Sequence, residues 1–339
     1  MLTEDELVAA IRVICEAEPA TGPAPRPIVL GIGDDAAVWK PSSSHLSVIT
    51  TDALVDGVHF RSARMSALHI GHRAMAANLS DVAAMGARPV LATVALGVPP
   101  AAAQAPLLDL YRGMNALAGA HGVRIVGGDV VRAPVLTLSL TLVGEVRRSH
   151  LRRRDGARPG DVLAVTGPLG ASHAGLLLLD REVTMDPLLV QRAAIAFATP
   201  QPRVREGRWL AASVNVHAMM DCSDGLSTDL GRLTRASGYG ALVDHVPVDP
   251  AADAVARALG DDGRAYALHG GEDFELLVAV APRAFAHLSG RFRQRFGSAL
   301  LPVGRVEKQE GLRLLEASEE RELVPAGWDH LRAGAQPDP

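Results

Sequence analysis

The sequence predicts an α/β protein of two domains, and three observations carry that prediction. The chain has 339 residues, 48% hydrophobic and 21% charged, enough to fill two ordinary cores. Apolar runs of strand length alternate with longer stretches of helical period. Residues 147–160, RRSHLRRRDGARPG, combine a charge run with turn formers and divide the chain near its middle. The domains are therefore drawn at 1–147 and 148–333, and 334–339 is expected to be a disordered tail.

In chain order, residues 3–16 predict a helix with Thr3 and Glu6 at capping-box spacing. Residues 19–27 read as a proline-rich linker, and strands are expected near 28–32 and 46–53. Residues 69–85 have an apolar stripe of Met75, Leu79, Val82 and Met85 at helical spacing, with Gly86 placed to stop the helix. A strand at 90–97, a helix at 101–121 and strands at 123–127 and 135–145 complete the first α/β unit. The second half opens with a strand at 162–166, then the turn Gly167-Pro168-Leu169-Gly170 and a helix through 176–179. A long helical region ends near Leu210, and strands are expected at 215–221, 241–245, 275–281 and 301–306.

Composition excludes several functions. A net charge of −4 argues against nucleic-acid binding as the main task. Lys40 and Lys308 are the only lysines, and no G-x-x-x-x-G-K-[ST] occurs, so a polyphosphate must be neutralised by arginine and metal ions. Cys15 and Cys222 form neither a disulfide framework nor a zinc site. The acidic start MLTEDELVAAIRVI is no signal peptide and no apolar run has membrane-spanning length, so a cytoplasmic protein is expected.

Acidic residues recur where apolar segments meet turns. The stretch from Gly31 to Phe60 holds Asp34, Asp35, Asp52 and Asp56, and strand alternation puts Thr50 and Asp52 on one face, Ile49 and Thr51 on the other. Asn78 and Asp81 share a helix face. Gly127-Gly128-Asp129 follows an apolar strand, Asp221-Cys222-Ser223-Asp224-Gly225 another, and Gly270-Gly271-Glu272-Asp273 forms a further acidic turn. Taken singly, the glycines could serve only turns and Asp224 could merely cap a helix starting near Leu226. Together, carboxylates so placed repel one another unless cations hold them, which suggests Mg²⁺-assisted phosphoryl chemistry on a nucleotide.

These motifs resemble those of the superfamily that includes aminoimidazole ribonucleotide synthetase, selenophosphate synthetase and thiamine-monophosphate kinase. The resemblance is to thiamine-monophosphate kinases over nearly the whole chain, through GIGDD, TTD-x-x-x-x-x-H-F, NLSD-x-AAMGA, GGD-x-x-R, D-x-SDGL, GGEDFE and GWDH. No Cys or Lys stands in a selenophosphate-synthetase context, and the chain lacks the terminal Cys of the hydrogenase-maturation relative.

The resemblance implies an aminoimidazole ribonucleotide synthetase-like α/β fold whose N-terminal sheet pairs across a homodimer. It implies Mg²⁺ ions held by Asp35, Thr50, Thr51, Asp52, Asp81, Asp129, Asp221 and Asp224. Gly128, Ser223 and Arg154 would contact ATP, with Arg152 and Arg153 as alternatives within the arginine run. His59, Glu272 and Trp328 would hold thiamine phosphate; without the resemblance, His59 reads as a satisfied histidine and Trp328 as a packing residue. No side chain is assigned as a general base, because transfer would be in line and metal-assisted. The alternatives are another ATP-dependent member of the superfamily and a non-catalytic nucleotide-binding protein. Asp34 and Asp56 receive no role.

Overall fold

The computed structural model describes residues 4–17, 28–32, 36–100 and 102–328. Two units divide these residues: unit 1 falls within Met1–Val82 and Ala87–Arg148, unit 2 within Ala83–Gly86 and Ser149–Pro339. Thr3 of the expected capping box, the whole proline-rich segment 19–27, Asp34, Asp35 and the expected tail lie outside the described residues.

Unit 1 runs α1 (Glu4–Glu16), β1 (Ile28–Leu30), β2 (Val38–Trp39), β3 (Leu46–Val55), α2 (Ala67–Ala84), β4 (Arg88–Val98), α3 (Gln104–Ala120), β5 (Arg124–Arg132) and β6 (Thr137–Val146). Its main sheet has the order β3-β6-β4-β5, antiparallel except for the parallel β4–β5 pair. Leu96, Leu138, Leu140 and Leu142 are fully buried, and so are Met75, Leu79 and Val82 of the expected α2 stripe. The last turn of α2 closes at Gly86, whose φ of 68° admits the left-handed cap. On α1, Leu7, Ile11 and Cys15 are buried at intervals of one helical turn, and the Asn115 side chain donates to the Ile14 carbonyl at 2.8 Å.

Gly127-Gly128-Asp129 does not end its strand; β5 continues through it to Arg132. Val126 is the extra residue of a bulge opposite Ala92 and Thr93, so Ile125 and Val126 are both buried in succession. A Cβ on Gly128 would lie 1.9 Å from the Val94 carbonyl oxygen, so this glycine clears the neighbouring strand rather than turning the chain.

Unit 2 runs β7 (Val162–Val165), α4 (Ala171–Leu177), α5 (Pro187–Ala198), α6 (Val204–Ala211), β8 (Val216–Cys222), α7 (Leu226–Ser237), β9 (Gly240–Val243), α8 (Pro250–Leu259), α9 (Gly263–His269), β10 (Glu275–Val280), α10 (Pro282–Phe296), β11 (Leu301–Glu307), β12 (Leu312–Glu316) and β13 (Glu319–Glu322). Its sheet has the order β13-β12-β9-β11-β7-β10-β8, with β12–β9 the parallel pair. The core joins Leu163 and Val165 to Met220, Leu230, Leu277 and Val303. The expected long helical region is three helices, interrupted before Pro187 and again at Pro200 and Pro202.

Two glycines set the spacing of α2 and α3. A Cβ on Gly71 would meet the Leu110 carbonyl oxygen at 2.0 Å, and one on Gly113 would meet that of Leu68 at 2.0 Å. Gly113→Ala should therefore cost about 1–3 kcal/mol of stability through overpacking. Gly290→Ala, where α10 leaves open space within 4 Å, should be neutral or stabilising by up to about 1 kcal/mol. Urea denaturation of the two variants checks the contrast.

Candidate active site

In unit 1 the candidate ligands begin on β3. Thr50 and Asp52 are half-buried on one face, and the Thr50 hydroxyl donates to Asp81 Oδ2 of α2 at 2.5 Å. This contact joins TTD and NLSD into one arrangement of hard oxygen donors, the kind that suits Mg²⁺. Thr51 faces the other way, as alternation requires, and donates to the Leu140 carbonyl at 2.8 Å.

Asp129 is not brought to this arrangement. It lies on β5, at the opposite edge of the sheet from β3, exposed, with one carboxylate oxygen accepting the Val130 N–H at 2.9 Å. Cross-strand register aligns it with Ala95, Ser139 and Ala53, the row beside that of Asp52, Leu140, Val94 and Gly128. Neighbouring rows point to opposite faces, so Asp129 and Thr51 share the face away from Asp52. His59 is half-buried and its Nδ1 accepts the Val55 N–H at 3.1 Å, which puts the ring proton on Nε2. Asp56 is occupied as a loop cap, accepting the Ser62 N–H at 2.9 Å and the Ser62 hydroxyl at 2.5 Å.

In unit 2, candidates from three distant stretches meet. Asp221 is buried near the end of β8, opposite Leu276. Ser223 and Asp224 form the turn that follows, and other stretches attach to its backbone. The Glu272 N–H donates to the Ser223 carbonyl at 2.8 Å, and the Trp328 N–H donates to that of Asp224 at 3.2 Å. Gly327 crosses the turn so closely that a Cβ there would lie 1.8 Å from the Asp224 carbonyl oxygen. Glu272 has φ 65° and Phe274 φ 51°, a left-handed backbone at two non-glycine residues.

Asp224 does not cap α7: Gly225 is the N-cap, and no side chain caps the helix there. Its carboxylate is instead paired with Arg232, which also reaches Asp229 Oδ1 at 2.9 Å. Asp229 and Arg232 were not among the sequence candidates. The available signal was an acid at position 229 between Leu226, Leu230 and Leu233, on the apolar side of the helix.

The arginine run separates by use. Arg152 is buried and donates to the carbonyls of Ser149, Leu151 and Ser213. Arg153 pairs with Asp155, whereas the exposed Arg154 guanidinium has no partner among the described residues. Of the three, Arg154 alone is uncommitted and exposed for an anion. No three His, Cys, Asp or Glu side chains gather into a metal cluster among the described residues. The candidate carboxylates are distributed over both units, and Asp35 lies outside the description.

Comparison with known proteins follows this division. The AIR synthase related protein N-terminal domain matches residues 33–146, and the corresponding C-terminal domain matches residues 158–315. A curated thiamine-monophosphate kinase from Rhodopirellula baltica (strain DSM 10527 / NCIMB 13988 / SH1) is 37% identical over 314 residues, 89% of this chain and 92% of that protein. The solved structure of thiamine-monophosphate kinase from Stenotrophomonas maltophilia K279a has a TM-score of 0.79 and 35% identity, covering 92% of this chain and 96% of that one. AaThiL complexed with AMPPCP and TMP has a TM-score of 0.74 and 28% identity, covering 96% of both chains.

One buried acid of unit 2 has a measurable electrostatic signature. Burial pushes the Asp273 carboxyl up from 3.8 to about 8, while the N–H groups of Gly170, at 2.7 Å, and Ser172, at 3.3 Å, pull it back down. The folded state therefore holds this proton more tightly than the unfolded chain. The associated stability is fully present below the ordinary carboxyl value of 3.8 and is lost as pH rises toward about 8. Asp273→Asn, which removes the ionisable group but keeps an acceptor for only one of the two N–H groups, should lower Tm and flatten its fall across that window. Thermal melts of both proteins in matched buffers check this; parallel curves would assign the slope to other groups.

Proposed function

The chain belongs to the AIR synthase related proteins, and from that premise we propose that it is a kinase acting on thiamine monophosphate. It transfers the γ-phosphoryl group of ATP to the phosphate of that acceptor, giving thiamine diphosphate and ADP. The observation that carries this reading is the convergence on one turn in unit 2. Ser223 and Asp224, the nucleotide and metal candidates, are bound through their carbonyls by Glu272 and Trp328, the acceptor candidates. A relative complexed with both AMPPCP and TMP supports the same pair of substrates.

The chemistry asks little of a general base. The acceptor oxygen belongs to a phosphate whose second pKa is about 6, so it is largely ionised at neutral pH. What must be overcome is the repulsion between two polyanions. Within each unit the hard oxygen donors suit Mg²⁺, Thr50, Asp52 and Asp81 in unit 1 and Asp221 and Asp224 in unit 2. The motif resemblance adds Asp35, Thr51 and Asp129, of which Thr51 and Asp129 lie on the other face of the sheet from Asp52. Bound Mg²⁺ would supply charge neutralisation at the transferring phosphoryl group. Gly128, Ser223 and Arg154 serve ATP in this reading, and His59, Glu272 and Trp328 the acceptor. No helix among the described residues is long and apolar enough to cross a membrane, and we place the reaction in the cytoplasm.

Incubation with ATP, Mg²⁺ and thiamine monophosphate, with chromatography of the products, should yield thiamine diphosphate. Asp52→Asn, Asp81→Asn and Asp221→Asn should each lower turnover by roughly 10²- to 10³-fold while keeping the fold. Absence of product where ATP binding is measurable would favour the non-catalytic alternative. Lower Tm with unchanged turnover would make the carboxylates structural.

We also propose a homodimer through the sheet of unit 1. The face carrying Thr51 and Asp129 leaves Ile49 69% and Val131 51% exposed, an apolar cost that a second copy would relieve. Light scattering should give twice the chain mass, and Ile49→Glu together with Val131→Glu should shift it toward one.

A further inference from the structure

The turn on which the candidate nucleotide, metal and acceptor residues meet has no helix cap of its own. Its geometry is set from inside the following helix. Asp229 Oδ2 accepts the N–H of Ser223 at 3.0 Å and that of Asp224 at 2.9 Å. Its other oxygen is occupied by Arg232 Nη1 at 2.9 Å, and the Asp229 side chain is 0% exposed. Asp229 is thus sealed from any ligand and fully used in holding two peptide N–H groups. The same Arg232 nitrogen also pairs with Asp224 Oδ2, and here the surroundings differ: Asp224 keeps 23% of its side chain exposed and Arg232 36%. One arginine therefore spans an interior carboxylate and an accessible one.

We propose that Asp229 and Arg232 are positioning residues for this turn, Asp229 fixing its backbone and Arg232 serving as the resident counter-ion of Asp224, which a divalent cation displaces. The proposal rests on the assignment of Ser223 and Asp224 to ATP and its metal. Two consequences follow from the bonding. The carbonyls of Ser223 and Asp224 receive the N–H groups of Glu272 and Trp328, so a turn released from Asp229 shifts both substrate sites together. Arg232 and the cation compete for one carboxylate, so removing the guanidinium lowers the Mg²⁺ concentration that binding requires.

The test measures binding rather than turnover. Calorimetric titration of the full chain with AMPPCP, at a series of Mg²⁺ concentrations, is run on wild type, Arg232→Gln, Asp229→Asn and Asp229→Ala, with thiamine monophosphate titrated separately. Arg232→Gln should reach half-maximal AMPPCP binding at about two- to fivefold less Mg²⁺, the strength of a partly exposed ion pair. Asp229→Ala should weaken AMPPCP and thiamine monophosphate about tenfold each, the effect of losing two backbone hydrogen bonds. Asp229→Asn keeps an oxygen for both N–H groups but gives up the Arg232 contact, and should weaken both ligands clearly less than Asp229→Ala does. An unchanged or raised Mg²⁺ requirement in Arg232→Gln overturns the counter-ion role whatever the stability of Asp229→Ala. Wild-type affinity in Asp229→Ala, or Asn as weak as Ala, overturns the positioning role while leaving the kinase reading intact. Wild type that binds no AMPPCP with Mg²⁺ would remove the kinase reading itself, and the proposal with it.

Discussion

Mutual repulsion among buried carboxylates is the constraint to which unit 2 is built. Burial raises the Cys222 thiol most, and Asp229, Asp221, Asp273 and Glu275 each raise it further, so one interior side chain feels the field of four acids. Unpaired, such charges would not survive burial. Each of three has its own remedy. Asp229 takes two peptide N–H groups and Arg232; burial still lifts its carboxyl to about 7. Glu275 is held by both ends of the Arg203 guanidinium and by the Thr166 hydroxyl at 2.6 Å. Asp273 has the N–H groups at the start of α4.

These remedies shape the backbone. For Asp273 to meet Gly170 and Ser172, the residues on either side of it adopt left-handed conformations, at Glu272 and Phe274. Each such residue costs of order 1–3 kcal/mol, and the buried hydrogen bonds of the acid between them offset that cost. Strain here is localised on the segment that carries the acceptor candidate. The chain holds Glu272 in place through its neighbour rather than through a tight turn of its own.

The first-order features were legible because they obey a local period. Alternation along β3 put Thr50 and Asp52 together, and the structure adds the Asp81 contact that alternation alone does not give. The stripe on α2 was visible for the same reason. Gly127-Gly128-Asp129 misled because glycine pairs usually mark turns, whereas here Gly128 answers a steric demand from Val94 on another strand. Asp229 was illegible as a structural acid: its N–H partners precede it by five and six residues, outside any helical spacing. Helices α8, α9 and α10 lie between the acidic turns and apolar strands that mark the site in the sequence. Asp249 and Asp262 are ordinary N-caps, and Pro250 and Pro282 stand in the first turn of their helices.

The same crowding that the acids must survive leaves the chain chemically quiet at sulfur. Cys222 is buried among negative charges, and its thiol is pushed well above its usual range. Cys15, buried on α1, is pushed up by burial to about 12. Thiolate is the reactive species toward alkylating agents and oxidants, so both sulfurs stay inert while the fold is intact. With no other cysteine in the sequence, the native protein is a blank background for labelling. A cysteine introduced on an exposed surface would carry a fluorophore or spin label alone, and labelling of the natural pair would report unfolding.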